Sequence, residues 1–146
     1  MLAARCARIR TGPMARPFLD LTTYTDGVAA GWPETDVYRG IVHDVPRLFH
    51  ADTRQHQEEV LRQRPPLTGT HWDALLAATI EHVARLHGHD LPEWVNEPGR
   101  FLAEPWAPAD TLGLRRRCLS YAPGAFIRHG TIGGPIRPRR ARWRAS

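Results

Sequence analysis

The chain has 146 residues, enough for a single domain with one modest core. Its net charge is +5, and every basic residue is Arg with no Lys, the composition of a GC-rich coding sequence. No run of about 20 apolar residues is present, which excludes a membrane-spanning helix, and the two cysteines, Cys6 and Cys118, make neither a disulfide framework nor a zinc site, which points to a reducing cytoplasm.

Residues 1–16 carry Arg5, Arg8, Arg10 and Arg16 without a single acid and are expected to be a disordered basic prefix. The prefix is too interrupted by Arg for a secretory signal, and Met14 is an alternative start. Pro17–Ala30 reads as a short helix, with Phe18, Leu21, Tyr24 and Val28 at three- and four-residue steps and with Gly31 and Pro33 closing it. Asp36–Ala51 places Val37, Ile41, Val45, Leu48 and Phe49 on one face, and Pro46 is expected to kink or divide it unless it opens a second helical turn. Asp52 or Thr53 caps a polar helix reaching about Arg64, whose apolar content is Val60 and Leu61, before Pro65-Pro66 end it.

The strongest element follows. Thr70 precedes an apolar pattern and Asp73 stands three residues later, a capping box with Asp in the usual Glu place. Trp72, Leu75, Leu76, Thr79, Ile80, Val83 and Leu86 then recur on one face, and Gly88 supplies the stop. Asp73, Ala77, Glu81 and Arg85 fall on the other side, where Glu81 and Arg85 are expected to form an exposed pair worth about 0.3–0.5 kcal/mol. Beyond it, three prolines allow only two short turns, Pro92–Val95 and Pro98–Ala103, from which Trp94, Phe101, Leu102 and Trp106 fold back over the helix as plain core. Ala109–Tyr121 is predicted helical through Leu112, Leu114, Cys118 and Leu119, and Pro123–Arg128 adds a last turn. No alternating strand and no internal repeat appears, so the fold class is all-α, a compact bundle of about five to six short helices over residues 17–132 with disordered basic termini.

The charge splits with the same boundaries. Residues 20–114 hold all fifteen acids against seven arginines, whereas residues 115–146 carry nine arginines and no acid. Residues 133–146 form an Arg/Pro-rich tail without apolar period, expected to be disordered. In that tail Arg137, Arg139, Arg140, Arg142 and Arg144 are candidates for gripping phosphates, with Trp143 free to stack on a base; an ordinary solvated tail is the competing reading.

Eight histidines invite a metal reading, but Glu81-His82 is not followed by a second His at the HExxH step. His87, His89 and Asp90 are a local chelating set for zinc, against the commoner meaning of a polar helix C-cap. Glu58 and Glu59 diverge on a helix, as do Glu81 and His82, and no nucleophile elbow surrounds Ser120. Gly99-Arg100 at a helix start is a weak anion site. These patterns sponsor no catalytic residue, no cofactor and no metal.

The residues Pro65-Pro66-Leu67-Thr68-Gly69, Trp72-Asp73-Ala74-Leu75-Leu76, Pro92-Glu93-Trp94, Arg100-Phe101-Leu102, Pro105-Trp106 and Ala122 to Gly130 together resemble a group of small actinobacterial proteins, over roughly residues 17–132. Some of that group carry an added helix-turn-helix and look like antitoxin or regulator components. The resemblance implies an all-helical interaction protein, one that neutralises a toxin encoded nearby, and brings no catalytic residues. This chain has no helix-turn-helix of its own, and after Gly130 an Arg-Pro tail replaces the group's usual short apolar and acidic ending. The sequence is therefore read as a non-catalytic helical interaction protein; the alternative is a nucleic-acid binder working through its tail.

Overall fold

A computed structural model describes residues 19–106 and 124–131, and these are helical with no strand among them. The elements are α1 (Thr22–Ala29), α2 (Glu34–Arg39), a π-helical turn (Gly40–Asp44), α3 (Val45–Ala51), α4 (Arg54–Arg62), α5 (His71–Leu86), two 3-10 turns (Glu93–Asn96 and Pro98–Arg100) and α6 (Gly124–Arg128). One isolated parallel bridge joins Trp106 to Thr131. The expected prefix, the helix Ala109–Tyr121 and the Arg/Pro tail lie outside the described residues.

α1 begins at Thr22 rather than Pro17, and the reason is local. Asp20 Oδ1 accepts from the Thr22 N–H at 3.0 Å and from its hydroxyl at 2.6 Å, an Asx-turn that competes with helix before that point. Gln63, just past α4, fixes this start from afar: its Oε1 accepts from Leu21 N–H at 2.7 Å and its Nε2 donates to the Leu19 carbonyl at 2.9 Å. α4 accordingly stops at Arg62, short of the expected Arg64, because Gln63 is drawn out to extended backbone.

Pro46 does not divide its helix. The turn before it widens, so that Val45 N–H donates to the Gly40 carbonyl five residues back, and the helix runs on through Ala51. A residue without an N–H is accommodated by shifting the ladder.

α5 is the axis of the molecule. Thr70 and Asp73 form the expected capping box, and the Asp73 carboxylate also accepts from Thr68 N–H, Thr68 hydroxyl and Gly69 N–H at 2.8–3.0 Å. At the far end Gly88 has φ of 71°, and His89 N–H returns to the Ala84 carbonyl at 2.8 Å, a left-handed stop. The apolar face lands as expected except for Leu86, which is 53 % exposed. The supposed outer face does not: Asp73, Ala77 and Glu81 are all buried. α3, the π-helical turn, the two 3-10 turns and α6 pack against α5, and residues 72–81 are buried on every side. Leu21, Val37, Ile41, Phe49, Val60, Leu75, Leu76, Ile80, Trp94 and Phe126 fill the space between.

Candidate functional site

On the side of α5 where alanines stand at 74, 77, 78 and 84, small side chains let neighbouring backbone come close. Segment 124–131 uses that room. Its helix α6 buries Ala125 and Phe126, and its backbone is tied to the chain before it by Leu102 N–H to the His129 carbonyl (3.1 Å) and Trp106 N–H to the Gly130 carbonyl (2.9 Å). Docked in this way, α6 delivers Arg128 and His129 to Glu81, the one acid of the alanine side beyond the cap.

The resulting cluster is closed. His129 Nε2 lies 2.8 Å from Glu81 Oε1, and its Nδ1 lies 2.7 Å from the Arg100 carbonyl oxygen, so both ring nitrogens face acceptors. Arg128 Nε donates to both Glu81 oxygens at 3.1 Å, and its Nη2 donates to Glu81 Oε1 and, at 2.8 Å, to Asn96 Oδ1. Arg85 Nε donates to Glu81 Oε2 at 3.0 Å. The Phe101 ring lies flat on His129 at 4.5 Å and 10°, with the Arg128 guanidinium 5.2 Å above the same ring. Glu81 is 1 % exposed and His129 0 %.

Burial alone pushes the Glu81 carboxyl up, but hydrogen bonds from Arg128, His129 and Arg85 and the charge of Arg128 outweigh it and hold it at about 2, against an ordinary 4.5. The same contact raises Arg128 above its ordinary value. The exposed Glu81–Arg85 pair of the sequence reading is thus corrected: Arg85 is a rim ligand of a buried carboxylate. Chemically, a Glu–His contact is the kind a general base uses. Here three side chains engage the carboxylate, and the buried imidazole is wedged between that carboxylate and a backbone carbonyl, which suits the cluster to holding chains together.

Beside the cluster, Arg100 turns inward rather than toward an anion. Its side chain is fully buried, with Nη2 donating to the Pro65 carbonyl at 2.5 Å, Nε to Glu97 Oε1 at 3.4 Å, and the guanidinium 4.8 Å from the Trp94 ring. Burial lowers its pKa, opposed by Asp73 and Glu97. Glu97 is held below its ordinary value mainly by the hydrogen bond from Arg64.

Of the described tryptophans, Trp32, Trp72 and Trp94 belong to the core and Trp106 packs against it. Trp94 is 5 % exposed and donates Nε1–H to the Leu61 carbonyl at 3.1 Å. Trp106 is partly buried, stacked on His71 at 4.2 Å and edge-on to Trp72 at 5.3 Å. The chelating set weighed for zinc, His87, His89 and Asp90, is not assembled: His89 Nε2 donates to Gln57 Oε1 at 2.8 Å, His87 turns to His50, and no group of three or more His, Cys, Asp or Glu placed for a metal occurs among the described residues. No described helix is long and apolar enough to cross a membrane. The phosphate-gripping candidates Arg137, Arg139, Arg140, Arg142, Trp143 and Arg144 lie outside the described residues.

The sequence pattern ends α6 at Arg128, as the structure does, but signals no role for Arg128 or His129. The available signal was the outer face of α5, too rich in alanine to be a solvated face. No family model, curated protein or solved structure matches the chain.

Proposed function

We propose that this chain is a non-catalytic helical protein that acts by binding another protein, as an antitoxin-like component whose partner is a toxin encoded nearby. The observation that supports this reading is the state of Glu81. A carboxylate held at about 2, buried and saturated by Arg85, Arg128 and His129, neither gives nor takes a proton near neutral pH. Among the described residues, this strongly shifted carboxylate is spent on architecture. The described residues carry fourteen acids against eight arginines, so the body offers a negative field to an electropositive partner.

The test is genetic and physical together. Affinity capture of the full chain should recover the product of an adjacent reading frame, and co-expression should relieve that product's toxicity. No such partner and no rescue defeats the reading. A steeply salt-dependent gel shift that vanishes on removing residues 133–146 would instead favour nucleic-acid binding by the tail.

A further inference from the structure

Three helix ends meet at one corner: the C-terminus of α3, the N-terminus of α4 and the C-terminus of α5. Histidines stitch them. His50, in the last turn of α3, places Nδ1 2.5 Å from Nε2 of His87, the residue that ends α5, with ring centroids 4.7 Å apart. Phe49 packs against His87 and His89, at 5.5 and 5.9 Å. His89 donates to Gln57 on α4, and Gln57 Nε2 donates at 2.8 Å to the Phe49 carbonyl at the end of α3. Arg54, in the first turn of α4, donates to the His87 and Gly88 carbonyls at 3.2 and 3.4 Å.

Only one hydrogen fits between two imidazole nitrogens this close: one nitrogen gives it and the other accepts. If both rings carry a full complement of protons, two N–H groups and two positive charges oppose each other beside the Arg54 guanidinium, and the contact must open. We propose that His50 and His87 form a proton-operated clasp between the C-terminal ends of α3 and α5, closed while at least one of the two facing nitrogens keeps its lone pair and opened when acidification protonates both rings. The clasp goes beyond the binding role argued above and stands without it.

Charged groups from three elements surround the corner. Burial first, and then Arg54 of α4, lower His89, with His87 a further lowering charge, while Glu58 of α4 and Asp90 beyond α5 raise it. At the end of α3 the Asp52 carboxylate is engaged by His56 at 2.8 Å. Burial first, and then the charge of His87, hold His50 below its ordinary 6.5. A lowered histidine binds fewer protons folded than unfolded. Its stabilisation is therefore complete above about pH 6.5 and is lost as pH falls from there toward the folded value.

Two measurements on the full chain test the clasp. Histidine-resolved NMR titration should show His50 protonating below the ordinary range, with a curve that shifts when His87 is replaced by Gln; a His50 curve that His87→Gln leaves unchanged overturns it. Amide exchange at residues 50–54 and 86–90, corrected for the intrinsic pH dependence, should lose about tenfold protection between pH 7.5 and 5.5. In His50→Gln, which keeps a polar group but cannot charge, that loss should be absent. His71 and His89 titrate in both proteins, so the difference isolates the clasp. An equal loss in His50→Gln, or none in the wild type, rejects it.

Discussion

Glu81 shows how one carboxylate can join three stretches of chain. α5 supplies it and Arg85, the 3-10 turn supplies the Arg100 carbonyl that orients His129, and segment 124–131 supplies Arg128 and His129. Replacing it with the near-isosteric Gln leaves Arg128 without its counter-charge and removes the carboxylate oxygen that faces His129 Nε2. Glu81→Gln should therefore cost about 3 kcal/mol in urea denaturation, far above the usual worth of a surface ion pair. The same residue sets an acid limit. Its folded value is depressed, so its contribution is complete above its ordinary 4.5 and lost as pH falls to about 2. Relative to Glu81→Gln, the wild type should lose about 3 kcal/mol more between pH 6 and pH 2, because each tenfold change in proton affinity is worth about 1.4 kcal/mol. Parallel pH curves for the two proteins would contradict this.

At the scale of elements, helix ends and close approaches decide more than propensity does. Gly27 lies inside α1, where Ala is ordinarily better by about 1 kcal/mol. A Cβ at that position would fall 2.3 Å from Cε3 of Trp32, whose ring is buried. Gly27→Ala should thus destabilise by about 1–3 kcal/mol, opposite in sign to the helix scale, as a lowered melting temperature would show. Asp73→Ala should cost more than the roughly 1 kcal/mol of an ordinary cap, since it strands the N–H groups of Thr68 and Gly69 as well as that of Thr70.

These elements also mark where sequence reading succeeds. The α5 cap, its apolar face and its glycine stop are contained within a few consecutive residues, and all are legible from spacing. The two short turns at Pro92 and Pro98 follow from proline chemistry in the same way, although the second ends at Arg100 rather than at the expected Ala103. What escaped is long-range. That Gln63 would seize Leu19 and Leu21, or that α6 would cover the alanine side of α5 and bury Glu81, depends on partners more than forty residues away. The π-helical turn before Pro46 sits between these cases: proline announces a disturbance without saying that the helix survives it.

Across the described residues, a net-acidic helical body is closed by a clamp of opposite charges, and the binding role proposed above draws on its surface field. If that partner is electropositive, raising salt from about 50 to 500 mM should slow association several-fold with little change in dissociation, as stopped-flow mixing would reveal. Salt-insensitive association would argue against the field's role. The clamp itself is the claim on which the fold depends, and a double-mutant cycle probes it most directly. With Glu81→Gln, Arg128→Gln and the pair compared by urea denaturation at pH 7, a coupling of about 2 kcal/mol or more is expected between the two residues. A coupling near zero would contradict a structural clamp and release Glu81 for some other role.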